Sequence, residues 1–139
     1  MNKKVLLGFV VVFIVLEILM FLIDGVFLAG AYSSIQNVWR SDMNSKMWIF
    51  HVVNIFIAFF FSFIFSKGYQ KKGIWEGVRY GLYIGLWMSI PAAYATYAMI
   101  AIPHSLALQW LIYGVIEYII AGIALALVYK EGKPKQAVA

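Results

Sequence analysis

Three carboxyl groups stand inside long apolar runs of this sequence: Glu17 and Asp24 in the first, Glu117 in the last. A charge in hydrocarbon is costly, so an ionisable residue placed there marks a functional candidate. Asp24 follows Glu17 by seven residues, which puts both on one face of a helix. The chemistry such groups offer is proton carrying or cation binding near the middle of a membrane, with Glu17, Asp24 and Glu117 as the working residues. The structural alternative is that each carboxyl is a hydrogen-bonded packing group. Asn54, Ser62, Ser89 or a tyrosine are then its partners, because buried polar groups find partners.

A second polar group gathers at the outer end of the runs. His51 and Asn54 share a helix face at spacing three. His104 falls in the turn before the last run, and Tyr94, Tyr97, Arg40 and Gln109 reach the same depth. A metal ion needs three or four converging ligands, and Asp24, His51 and His104 are the available three. No histidine pair at ligand spacing strengthens that set. Two histidines can also hold a haem between helices, but His104 stands in a tight turn beside Pro103. No metal and no cofactor is therefore expected, and a haem or metal enzyme at these residues is an alternative reading. The chain has no cysteine, which excludes disulfides and thiolate chemistry. Phosphate-binding loops, nucleophile elbows and metalloprotease helix motifs are missing from it. No catalytic residue is assigned.

These groups need elements to position them, and composition decides which. The chain has 139 residues, of which 64% are apolar and 12% charged, with a mean hydropathy of +0.87. A soluble domain is about half apolar and a quarter charged, so the surplus must face lipid. A span takes about 20 apolar residues as a helix, and four runs qualify, at 5–29, 47–65, 74–102 and 106–129. They lack period-two alternation, so they are helices rather than barrel strands. The expectation is an all-α integral membrane four-helix bundle in a single domain, with an outer loop at 31–46 and a tail at 131–139. Lys3 and Lys4 with Ala29-Gly30-Ala31 imitate a signal peptide. The apolar stretch between them is too long and carries Glu17, so it reads as an uncleaved helix.

Charge sets the orientation. Nine basic residues (Lys3, Lys4, Lys67, Lys71, Lys72, Arg79, Lys130, Lys133, Lys135) lie on one side and two (Arg40, Lys46) on the other. The positive-inside rule then puts both termini in the cytoplasm. The net charge of +5 is spent on these flanks, so nucleic acid is not an expected partner. Ser41 or Asp42 is a candidate cap for the second span and Ser105 for the fourth. Pro103 stops the third.

The third span holds the most specific packing motif. Gly77, Gly81, Gly85, Ser89 and Ala93 recur every fourth residue. Small residues let helix backbones approach closely, which is how helices associate in lipid. The stripe reads as a helix-packing seam, for another helix of this chain, a partner chain or a flat lipid. The run is 29 residues long, about 43 Å as a helix, and Pro91 interrupts it. Tilt or a kink is expected. Phe56, Phe59, Phe60, Phe61, Phe63 and Phe65 put rings on every face of the second span, so some of them face lipid. The second and fourth spans share a loose pattern at an offset of 63, with Asn54 aligned to Glu117, a weak sign of a two-hairpin repeat.

The length and Glu17 resemble the small multidrug-resistance transporters, from which this chain departs in its strong charge bias and longer loops. The four-span size resembles the trimeric glutathione-dependent membrane enzymes, whose Arg- and Glu-rich second helix is replaced here by His51 and Asn54. The stretches 28–40, 65–69, 73–85 and 102–110 resemble a group of small bacterial four-helix inner-membrane proteins. That resemblance implies a multi-pass bacterial inner-membrane protein and carries no activity or site residue. The reading favoured by the sequence is a non-enzymatic helix-packing subunit or lipophilic-ligand-binding protein, acting as a homo-oligomer or within a larger membrane complex. The alternatives are a proton-linked small transporter using Glu17, Glu117 and Asp24, and a membrane enzyme or haem or metal protein using His51, His104 and Asp24.

Overall fold

A computed structural model of the chain describes residues 2–130. The tail at 131–139, with Lys133 and Lys135, lies outside the described residues. Those described form helices and no strand. Helix α1 (Lys3–Leu22) starts at Asn2, whose side chain accepts from the Lys4 amide at 3.0 Å. It runs into a π-helical turn, Ile23–Phe27, and then a short helix α2 (Ala29–Ser33). The connection continues through two 3-10 turns, Gln36–Val38 and Met43–Lys46. Three long helices follow: α3 (Trp48–Gly68), α4 (Ile74–Met99) and α5 (His104–Tyr129).

Three segments are long and apolar enough to cross a membrane: Lys3–Phe27, Met43–Gly68 and His104–Tyr129. Helix α4 has the length but not the apolarity. Glu76, Arg79, Pro91 and its many glycines and tyrosines dilute it. The expected helix caps also differ. Met47 precedes α3 and Pro103 precedes α5, neither giving a side-chain cap. Asp42 instead pairs with Arg40 at 2.6 Å and with Lys46 at 3.7 Å, which uses its carboxylate in the loop.

Helix α1 packs against both α3 and α5, and α4 packs along α5. One core joins α1, α3 and α5 through Val12, Leu16, Ala58, Phe61, Ala121 and Leu125. A second core lies at the end of the bundle away from the termini, where Leu28 and Ile35 meet Ala93, Ile102 and Leu106. Helices α3 and α4 are joined by a short turn yet do not pack along their length. They touch through rings, Phe61 and Phe65 against Tyr80, with centroids 4.6 and 5.2 Å apart. The connecting turn is shaped by Gly73 at φ +76°, a backbone region that a side chain strains. The Glu76 carboxylate accepts from the amides of Gln70 at 2.6 Å and Lys72 at 2.9 Å, which ties the turn to α4.

Candidate functional site

The small-residue stripe of α4 faces α5. Gly77, Gly81, Gly85, Ser89 and Ala93 are all buried. Gly77 lies on the backbone of Gly122, Gly81 on that of Tyr118, Gly85 on Val115, and Ser89 on Gly114. The numbers rise on one helix as they fall on the other, so the two run antiparallel. A Cβ at Gly77 or Gly81 would overlap a backbone carbonyl. The stripe is thus filled from within the chain, and no partner chain or flat lipid can lie in it while this pair is closed. The answering residues, Gly114, Tyr118, Gly122 and Ala126, also recur every fourth position. Tyr118 breaks the run of small types and hides that period in the sequence. A further close approach lies at Gly8 on α1, which meets Ser62 and Leu125. Ser62 donates to the Val5 carbonyl at 3.0 Å.

Glu17 is set apart from the other two intramembrane carboxyls. Glu17 turns to α3, with its Oε2 2.7 Å from His51 Nδ1 and its Oε1 accepting from Asn54 Nδ2 at 2.9 Å. The Asn54 amide also lies 3.6 Å from Met20 Sδ. Asp24, inside the π turn, accepts from the Tyr32 hydroxyl at 2.5 Å, and Tyr32 in turn accepts from Trp110 Nε1 at 2.7 Å. The expected shared face of Glu17 and Asp24 is therefore not used as one site. The π turn at Ile23–Phe27 changes the helical register between the two residues, and Asp24 bonds to Tyr32 of α2 while Glu17 bonds to α3. Glu117 is close enough to Asp24 for their charges to interact, and it has no hydrogen-bond partner among the described residues. Glu17 and Glu117 do not share a hydrogen bond.

The outer polar residues fall into separate pairs as well. His104 Nε2 is 3.4 Å from the Tyr94 hydroxyl, and its ring packs on Tyr97 at 5.6 Å. His51 belongs to Glu17. Asp24 belongs to Tyr32. The sequence-derived metal set of Asp24, His51 and His104 is not assembled, and no group of three potential ligands is placed for a metal among the described residues. Tyr32, Trp39 and Trp110 pack edge-on or tilted against one another at 5.7–6.4 Å and close this end of the bundle. Burial and the bond to Asp24 push the Tyr32 phenol above the usual tyrosine range.

One open feature is a groove the sequence did not indicate. Where α3 and α4 part, they leave a groove of about 350 Å³, open on one side. Phe56 and Phe60 of α3 and Ile84, Trp87 and Met88 of α4 form its walls, and Tyr118 of α5 forms its floor. Sites for small ligands commonly measure ~300–1,000 Å³. At its inner end it meets a more polar recess of about 380 Å³ that shares Ile64 and Tyr80 with it and adds Gln70, Glu76, Arg79 and Tyr83. Only tertiary structure could reveal it, since the walls come from helices whose apolar faces look alike in sequence.

No protein-family model matches the chain, and neither a curated protein nor a solved structure is significantly similar to it.

Proposed function

We propose that this protein is a non-enzymatic, four-span bacterial inner-membrane protein that holds a lipophilic ligand in the groove between α3 and α4. The four-span arrangement is favoured because α4 runs along α5 over the whole stripe from Gly77 to Ser89, so it follows α5 through the bilayer. Its two termini are cytoplasmic on the nine-to-two division of basic residues. The groove carries the functional reading. It is apolar and ring-walled, and it stands between helices that leave a gap although a short turn joins them. A helix-packing role toward a partner is less well supported, because the glycine stripe is already occupied by α5.

The test is to fill the groove from an exposed position. Met88→Trp adds bulk at the wall without touching the buried core. Protein purified in mild detergent is extracted with solvent, and the co-purified lipid or lipophile is counted by mass spectrometry. The wild type retains it in a fixed ratio and the variant loses it. Equal retention in both would end the proposal.

The carrier reading keeps one observation in its favour, the proximity of Asp24 to the unbonded Glu117. It fails if Glu117→Gln and Glu17→Gln leave proton release and transport in proteoliposomes unchanged.

A further inference from the structure

Resting on the groove reading above, we infer that the occupant is an anionic phospholipid of the inner leaflet, its headgroup on Arg79 and one acyl chain in the groove. Arg79 is exposed at the polar recess and has no ion pair or hydrogen bond among the described residues. The nearest acidic residue on its own helix, Glu76, is already committed to the Gln70 and Lys72 amides. The guanidinium is therefore free for an external anion, and its planar fork suits a phosphate. Lys67 and Lys72 are on the same side of the protein. The recess lining carries one acidic residue, Glu76, beside Arg79, and Lys67 and Lys72 in the flanking chain make the surroundings net positive, as suits an anionic headgroup on the cytoplasmic side.

The dimensions fit a lipid lying along the helix. From Tyr80 to Met88, α4 rises about 12 Å, and both residues line the groove. One leaflet of hydrocarbon is about 15 Å deep, half of the ~30 Å core. The groove thus follows a chain from the interface most of the way to the mid-plane. The polar recess and the apolar groove share Ile64 and Tyr80, so charge and tail sites are continuous. A free phosphate would use only the upper part. A second protein copy would leave the unpaired Arg79 unexplained.

The experiment is native mass spectrometry of delipidated protein with equal amounts of phosphatidylglycerol and phosphatidylcholine of identical chains. Wild type is expected to favour phosphatidylglycerol about fivefold, the factor for one basic residue at an anionic membrane surface. Arg79→Gln should bind both lipids equally, and Arg79→Lys should keep most of the preference. Met88→Trp should lose both lipids. If Arg79→Gln keeps the fivefold preference, the headgroup assignment is wrong while the groove reading stands. If Met88→Trp binds both lipids as wild type does, the groove reading itself is wrong. Glycerol phosphate displacing phosphatidylglycerol at equal concentration would show a free-anion site and overturn the inference. A lipid-free dimer as the main species would overturn it as well.

Discussion

Glu17 and His51 meet across the α1–α3 interface at 2.7 Å, and the same carboxyl is held from the buried side by Asn54 at 2.9 Å. The two contacts are not equal in burial. The His51 side chain is 56% exposed, whereas Asn54 is 9% exposed. His51 stands at the open rim of the helix pair, so removing it leaves the Glu17 carboxyl still bonded to Asn54 and no enclosed polar group unpaired. Interhelical hydrogen bonds inside membranes average about 0.6 kcal/mol and reach about 1.7. Asn54→Leu should therefore cost about 1 kcal/mol, and His51→Ala less than about 0.5. Unfolding in mixed micelles of mild detergent and dodecyl sulfate reads both. A larger loss for His51→Ala would mean that the exposed contact dominates.

The seam predicts a graded series. At Gly81 an added methyl overlaps the Tyr118 carbonyl and the Ile119 backbone. At Gly85 the nearest atoms are 3.0–3.3 Å away, so small shifts absorb it. At Gly30 nothing lies within 4 Å. Overpacking commonly costs about 1–3 kcal/mol. Gly81→Ala should fall at or above the top of that range, Gly85→Ala near its bottom, and Gly30→Ala close to zero. Thermal unfolding in detergent gives the order. Equal effects at Gly81 and Gly85 would show that α4 and α5 separate readily.

The α-helical character of the chain was legible, because long apolar runs without alternation leave no other option in lipid. The stripe on α4 was legible too, since period four is a local property. Its partner was not, because Tyr118 offers only its backbone to Gly81, and side-chain type says nothing about a backbone contact. The polar groups were visible as residues but not as pairs. Glu17 and Asn54 are 37 positions apart, and no local spacing links them. Helix α4 shows the limit from the other side. The features that make it a good packing helix, its glycines and tyrosines, lower its apolarity below that of its neighbours.

Tyr32 makes a prediction about alkaline pH. Burial first, then its bond to Asp24, raise the phenol above the ordinary range, which is centred near ~10. The unfolded chain releases this proton near ~10, while the folded chain keeps it. The folded state then holds more protons, so its stability falls as pH rises past that point. Tyr32→Phe removes this residue's share of the slope. It also deprives Trp110 of its acceptor. The difference between wild-type and Tyr32→Phe absorbance titrations should show no tyrosinate step near pH ~10 in the folded protein. A full step there would mean that the phenol is open to water.

The inner turn between α3 and α4 gives the last prediction, and it bears on the groove as well as on the turn. Glu76 accepts from two backbone amides of the turn, Gln70 and Lys72, and Gly73 supplies the positive φ that lets the chain reverse. Hydrogen bonds to a charged group are worth about 1.5–3 kcal/mol each. Glu76→Ala loses both and frees the stretch carrying Lys71 and Lys72. Glu76→Gln keeps an amide oxygen as acceptor and should lose about half as much. Limited trypsin digestion should therefore cut Glu76→Ala fastest at these lysines, Glu76→Gln more slowly and wild type slowest. Because the turn fixes how far α3 and α4 diverge, Glu76→Ala should also weaken lipid retention in the groove, even though Glu76 is not the headgroup ligand. Faster cleavage with unchanged lipid retention would show that the helices hold their separation by packing on α1 and α5 alone.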